Sequence, residues 1–318
     1  MMNKKTTKII FIGTAEFAAV ILNALIRDDW SIKLIITQPD RPIGRHQILT
    51  PPPVKIEAQK HNANILQPPR IADAFDQIKK IEPDLIIAAA YSQLIPKKIL
   101  ALARLGSLNI HPSLLPRYRG PTPIQTAILN GEKSTGVTII LMDEKIDHGP
   151  IVAQRELKNY ELRIMNYGEL NRKLAELGGD LLVETLPKFL KGEIIPLPQD
   201  ETKATYTKIL TKDDGKIDWQ KKAKAIERQI RAYNPWPGSW TEFNLKEKIK
   251  KLKITRVEIL ETEKPNGEIG KLFLTENKKM AVTCGQGSLI LEKVQPEGKT
   301  EMIGSNFHHG YGQIKKLG

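Results

Sequence analysis

The stretch SLNIHPSLLPRYRG, Ser107 to Gly120, decides how this chain is read. It begins with a short apolar run that carries Asn109 and His111 two positions apart and is stopped by Pro112. Side chains two apart on a strand share a face, so Asn109 and His111 project together, with Leu108 and Ile110 opposite. The residue before a proline is held extended, which puts His111 at the strand's end, where the chain leaves the sheet. An amide beside an imidazole at that point is equipment for handling a carbonyl oxygen and a proton. A polar pair that merely satisfies a buried turn fits the same spacing.

On the N-terminal side, Leu85 to Ala89 is a continuous apolar run of the kind found in central parallel strands, and Tyr91 follows at its end. Lys8 to Gly13 and Ile32 to Thr37 read as two further strands, with a short one at Ile65 to Leu66. Helices are expected over Glu16 to Arg27, Val54 to His61 and Ala72 to Lys80, and from Pro96, as an N1 proline, to Ala103. On the C-terminal side come a helix over Pro123 to Leu129 and a strand over Gly136 to Leu141. An amphipathic helix then runs from Tyr167 to Leu190, with Leu170, Leu174, Leu177 and Leu181 at helical spacing. This alternation predicts an α/β fold with a doubly wound, mostly parallel sheet. Ligands of such sheets bind beyond the carboxyl ends of the strands, where Tyr91, Asn109 and His111 fall.

Gly13 is followed by Thr14, Ala15 and Glu16, so the glycine-rich dinucleotide fingerprint is missing and no nicotinamide cofactor is expected. Gln38 to Pro53, QPDRPIGRHQILTPPP, is long for an α/β connection. Its prolines and Gly44 are expected to prevent regular structure, leaving a protruding arm with Arg41, Arg45 and His46. Met142 to Ile151 is a polar turn in which Asp147 precedes His148-Gly149.

Beyond residue 191 the composition shifts. Residues 192–207 read as a linker after a domain over 1–191, and 208–318 as a second, smaller domain. There, one helix is marked by Ala223, Ile226 and Ile230. Short runs at Ile249 to Val257, Gly270 to Leu274, Ala281 to Thr283 and Leu289 to Val294 predict a small β-barrel. Trp236, Trp240 and Pro235 are expected to pack its core, and His308 and His309 to belong to a tail.

Across 318 residues the formal net charge is +13, and positive charge is densest from Ile209 onward, where Lys250 and Lys251 lie in the strongest basic cluster. That balance suits a polyanionic partner, as does a basic barrel. The single cysteine, Cys284, excludes an internal disulfide and a cysteine-based zinc site, and it fits a reducing compartment. The apolar run Ile9 to Ile12 is far too short for a signal peptide or membrane span, so a cytoplasmic protein is expected, with no membrane partner.

Asn109-x-His111, Ser113-Leu114-Leu115-Pro116-x-x-x-Gly120 and Asp147-x-Gly149 together resemble the signature of the 10-formyltetrahydrofolate-dependent formyltransferases. Three further stretches resemble the methionyl-tRNA branch of that family: Thr37 to Arg45, Gln199 to Tyr206 with Lys216 to Trp219, and Ile230 to Trp240. The resemblance implies a Rossmann-like catalytic domain followed by an OB-like barrel that binds tRNA. It implies formyl transfer from 10-formyltetrahydrofolate to the methionine of initiator methionyl-tRNA, by a monomer without a metal.

By the same resemblance, Asn109 and His111 would donate to the oxyanion, while Asp147 would pair with His111 and help remove the amine's proton. Ser113, Leu114, Leu115 and Pro116 would line the folate site, with Tyr91 as a second wall. Arg45, Arg41 and Lys208 would meet the tRNA, and Lys250 and Lys251 are candidates on the barrel. The chain departs from the family at Gln47 and Ile48, where lysines usually follow the arm's arginine, and at Ile209, usually a lysine. A formyltransferase acting on a sugar nucleotide or purine ribonucleotide would share the catalytic trio. A non-catalytic RNA-binding protein and a folate-dependent hydrolase are the other readings.

Overall fold

The run IIFIG at Ile9–Gly13 (β1) is buried at every residue, because strands on both sides and helices on both faces cover it. The computed structural model describes residues 3–44, 46–158, 164–246, 248–260, 267–312 and 314–318. They divide into two compact units, one drawn from Met1–Pro123, Ser134–Asn159 and Leu170–Lys208, the other from Ile124–Lys133, Tyr160–Glu169 and Ile209–Gly318.

In the first unit, β1 leads into α1 (Glu16–Arg27) and β2 (Ile32–Ile36). After β3 (Arg41–Ile43), β4 (Ile48–Thr50) and α2 (Pro53–Lys60) come β5 (Ile65–Leu66), α3 (Phe75–Ile81), β6 (Leu85–Ala89), α4 (Lys97–Leu100) and β7 (Ser107–His111). The chain continues through α5 (Pro123–Asn130), which from Ile124 is counted in the second unit, then β8 (Ser134–Leu141), β9 (Ile151–Lys158) and α6 (Tyr167–Leu190), which is counted in the first unit from Leu170. The sheet order is β5-β2-β1-β6-β7-β8-β9. Pairing is parallel from β5 through β7 and antiparallel for β8 and β9, so the sheet is mostly parallel, as expected. Ile10, Ile12, Ile86 and Ala88 form one core with Ile78 of α3 and Ile99 of α4. On the other side, Gly178 of α6 lies against Ile110, Val137 and Ile21. Alternation along β7 therefore turns Ile110 toward α6 and Asn109 and His111 away from it.

The expected structureless arm is instead a two-stranded hairpin. Arg41 pairs with Thr50, Pro42 with Leu49 and Ile43 with Ile48. β-branched residues at the pairing positions carry the ladder, and Gly44 takes a positive φ of 74° at the turn. Pro96 lies one residue outside α4, as its N-cap, and that helix ends after a single turn. β9 alternates buried and exposed residues and has no continuous apolar run, which is why it does not stand out in the sequence.

The second unit carries α7 (Ala223–Tyr233), β10 (Ser239–Leu245), β11 (Lys248–Leu260), β12 (Leu272–Leu274), β13 (Met280–Thr283), β14 (Ser288–Pro296), β15 (Met302–Ile303) and α8 (Gly304–Gly310). Its antiparallel sheet runs β10-β11-β14-β13-β12, with β15 on β14. The C-terminal tail joins the two edges. Leu272 donates its amide to the Lys315 carbonyl at 2.8 Å, and the Gly318 amide donates to the Glu242 carbonyl of β10 at 2.9 Å. Both edge strands thereby find partners, which is what a barrel needs.

The core of this unit gathers Trp219, Ile226, Phe243, Leu252, Leu289 and Phe307. Three expectations fail here. Trp236 is 51% exposed, Pro235 is exposed beside it, and Trp240 is half-buried with the Lys251 Nζ 4.1 Å from its ring centre. The core tryptophan is Trp219, whose Nε1–H donates to Thr241 Oγ1 at 3.0 Å. His308 and His309 lie on α8, anchored by the fully buried Phe307 that stacks on Tyr311 at 4.7 Å. Among the described residues, no helix is long and apolar enough to cross a membrane.

Candidate active site

β7 delivers Asn109 and His111 to one face, and the turn after β8 delivers Asp147 to them. Asn109 Nδ2 donates to Asp147 Oδ1 at 3.1 Å, and His111 Nδ1 lies 3.4 Å from Asp147 Oδ2. The Gly120 amide donates to the same Oδ2 at 2.8 Å. His111 is buried, and its Nε2 is 2.9 Å from the Tyr118 carbonyl. A carbonyl only accepts, so Nε2 carries a proton and Nδ1 is the edge turned to the carboxylate. Both ring nitrogens are thus engaged, while the Asn109 amide has a second N–H to offer. The Nδ1 contact is the longest around Asp147, so it is the one open to re-pairing with an incoming oxygen.

Asp147 has a positive φ of 49°, a conformation that few side chains adopt without support. Gln199 supplies that support. Its Nε2 donates to the Asp147 carbonyl at 2.9 Å and to the Gly149 carbonyl at 2.8 Å. The glycine at 149 is a matter of space, because a Cβ there would sit 1.9 Å from the Leu141 carbonyl oxygen. Gly120 is needed for a different reason, its φ of +104°.

Behind this loop, Arg119 is fully buried, and all five of its N–H donors find acceptors. Nε and Nη2 reach Gln199 Oε1 at 3.1 and 2.8 Å. Nη2 and Nη1 reach the two Glu201 oxygens at 2.6 and 3.0 Å, and Nη1 also reaches the Tyr206 hydroxyl at 3.1 Å. Hydrogen bonding to Arg119 holds the Glu201 carboxyl below the usual carboxylate range. His148 Nδ1 lies 2.6 Å from Asp143 Oδ2. Arg119, Gln199 and Glu201 were not singled out from sequence, since no local spacing links positions eighty residues apart. The signal available was that Arg119 lies inside the stretch Ser107 to Gly120, and Gln199 and Glu201 inside Gln199 to Tyr206, both quoted for the family resemblance.

Ser113 is buried and its hydroxyl donates to the Arg117 carbonyl at 2.7 Å. Leu115 is buried and its amide donates to Thr138 Oγ1 at 3.1 Å, while Leu114 and Pro116 are half-buried. Tyr91 lies buried between Ala90 and Ser92, which have positive φ values of 41° and 68°. Its hydroxyl has no protein partner, and burial pushes its pKa up to about 12. The Thr37 hydroxyl, just beyond β2, is likewise buried without a partner. Both hydroxyls are closed off from solvent, and the Tyr91 ring packs in the core with Ile10, Ile12 and Ile95.

Arg41 is exposed, and its Nη2 donates to Gln38 Oε1 at 3.1 Å. Arg45 lies outside the described residues. Lys208 is exposed, and its carbonyl accepts from Thr122 Oγ1 at 2.9 Å. Lys251 is exposed and Lys250 half-buried, both on β11.

Residues 7–186 match the formyl transferase family, and residues 209–312 match the formyl transferase C-terminal domain. A methionyl-tRNA formyltransferase of Enterococcus faecalis is 41% identical over 310 residues, covering 96% of this chain and 97% of that protein. One from Chloroflexus aurantiacus is 43% identical over 300 residues, covering 94% and 95%. Among solved structures, HypX from Aquifex aeolicus, in complex with tetrahydrofolic acid, superposes with a TM-score of 0.64 at 18% identity. That match covers 94% of this chain and 46% of HypX, so this chain spans about half of HypX's length. An N-formyltransferase from Helicobacter canadensis, in complex with folinic acid and dTDP-3-aminofucose, gives 0.64 at 18% identity, covering 90% and 99%. At that identity the likeness concerns the fold.

Proposed function

This chain belongs to the methionyl-tRNA formyltransferase family, and from that premise we propose that it carries formyl from 10-formyltetrahydrofolate to the α-amino group of methionine on initiator tRNA. The observation that carries the reading is the meeting of Asn109, His111 and Asp147 at the carboxyl end of β7. Residues 1–191 act as the catalytic domain and 208–318 as the tRNA-binding domain, joined through 192–207, in a cytoplasmic monomer.

In the reaction a C–N bond forms between the amine and the formyl carbon, and the bond from that carbon to N10 of the folate breaks. One proton passes from the amine to N10. The spare N–H of Asn109 meets the negative charge that develops on the formyl oxygen, and His111, carrying a proton on Nδ1 as well as on Nε2, joins it by turning that Nδ1–H from Asp147. Asp147, freed of that partner, accepts the amine's proton, directly or through a water. Buried surroundings strengthen each of these interactions relative to water. In this reading Ser113 to Pro116, the loop that leaves β7, line the folate site, with Tyr91 as a second wall. Arg41, Arg45, Lys208, Lys250 and Lys251 supply phosphate contacts to the tRNA.

The test is an assay of purified protein with 10-formyltetrahydrofolate and three acceptors: methionyl initiator tRNA, methionyl elongator tRNA and an amino-sugar nucleotide. Formylation of the initiator alone is expected. Equal use of both tRNAs would remove the initiator specificity, and use of the sugar nucleotide alone would reassign the acceptor.

A further inference from the structure

We propose that Gln199, held by the buried fork of Arg119, is the positioning residue that sets Asp147 against Asn109 and His111. The inference rests on the formyl-transfer reading for its kinetic consequence, but not for its structural one.

The geometry points to one task. Gln199 turns both N–H bonds of its amide to the carbonyls of Asp147 and Gly149, on either side of His148, at 2.9 and 2.8 Å. That grip spans the one residue of the trio whose backbone is left-handed, with φ of 49°. Among the described residues no other hydrogen bond to those two carbonyls offsets the cost of the left-handed backbone at Asp147. The amide must not flip, because its oxygen would then face two carbonyl oxygens. Arg119 prevents the flip by donating to Gln199 Oε1 from both Nε and Nη2. Glu201 and Tyr206 take the remaining donors, so the guanidinium has a single orientation in which all five are satisfied. Attachment of this segment to the loop that follows β7 does not need Gln199. The Arg119 amide already donates to the Thr205 carbonyl at 2.9 Å, and the Thr207 amide to the Arg119 carbonyl at 2.8 Å. What Gln199 adds is the pose of Asp147, whose Oδ2 receives the Gly120 amide at 2.8 Å.

The experiment compares wild type with Gln199→Met, which keeps length and loses every hydrogen bond, and with Arg119→Lys, which keeps charge and loses the fork. Amide hydrogen exchange is read at Gly120, which reports Asp147, and at Arg119 and Thr207, which report the attachment. In Gln199→Met, exchange at Gly120 is expected to quicken about tenfold or more, with Arg119 and Thr207 unchanged. kcat for formylation is expected to fall about ten- to a hundredfold with KM for both substrates within about twofold, as for a catalytic group displaced by about an ångström. Arg119→Lys should move kcat in the same direction. Unchanged exchange at Gly120, or kcat within about twofold of wild type, would overturn the proposal. So would equal quickening at all three amides, which describes general loosening. Absence of formylation by the wild type would fail the functional reading instead, and leave the exchange result to decide the clamp.

Discussion

Asn109 and Asp147 are joined by a 3.1 Å hydrogen bond across 38 positions of sequence, one from a strand end and the other from a turn. The bond commits one amide hydrogen of Asn109 and leaves the other without a bond among the described residues. It also fixes the plane of the carboxylate, whose second oxygen then faces His111 and the Gly120 amide. The site is therefore a single hydrogen-bonded unit, and removing one member disturbs the others.

For the trio, Asn109→Ala is expected to lower kcat by about 10² to 10³, the usual cost of one oxyanion donor. Asp147→Asn and His111→Ala should lose turnover comparably while tRNA binding persists. Single-turnover formylation beside a filter-binding isotherm checks this. A variant with near-normal turnover would lose its assigned role, and one with lost tRNA binding would implicate the residue in docking.

Arg41→Ala and Arg45→Ala are each expected to raise KM for tRNA with little change in kcat. Each should flatten the dependence of log KM on log salt by roughly one counterion. Identical salt slopes for wild type and variants would take these two arginines out of phosphate contact.

Acid should weaken the fold through carboxylates held by hydrogen bonds. Asp200 accepts from the Thr202 hydroxyl at 2.6 Å and pairs with Lys203 at 2.9 Å, which keeps its pKa at about 2. The native value lies below the unfolded one, so the stabilisation is complete above the unfolded pKa and is lost as pH falls through the native value. Glu201, lowered chiefly by its bond from Arg119, adds in the same sense. Tm is expected to be flat from neutral pH to about 5 and to drop between about pH 4 and 2. Glu201→Gln should make that drop shallower, and a superimposable curve would show that Glu201 carries no such linkage.

Two tryptophans of the second unit should behave oppositely. Trp219→Ala empties a buried position and removes the donor to Thr241, at an expected cost of about 3–5 kcal/mol. Trp236→Ala acts on an exposed ring and should stay within about 0.5 kcal/mol. Urea denaturation of both variants measures the contrast, and a large loss for Trp236→Ala would place that ring in a packed interior.

How far each of these features can be read without coordinates depends on the range of the interactions behind it. Helix α1 falls at Glu16–Arg27 and α6 at Tyr167–Leu190, as their apolar periodicity predicts, because burial of one helical face imprints a period on neighbouring residues. Strands β1 and β6 are legible for the same local reason. The shared face of Asn109 and His111 follows from the pleat alone. The hairpin strands Arg41–Ile43 and Ile48–Thr50 are hidden by Pro42 and the proline run that follows at 51–53; only Pro42 lies on the ladder, and its missing donor matters little on a two-stranded element. Trp236 was misplaced because ring size predicts average burial and not the side of the chain on which a ring lies.

The sequence by itself determined the strand–helix alternation, the mostly parallel sheet, the polar pair at the end of β7 and the motif residues around it. Only the tertiary structure decided that Asp147 would be gripped through its backbone by Gln199, that Gln199 would be locked by Arg119, and that the tail at Gly318 would reach β10. Helix and strand periods come from contacts a few residues apart, so they are written locally. The clamp and the barrel closure pair groups about forty to eighty positions apart, and their geometry exists only once the fold has brought those segments together.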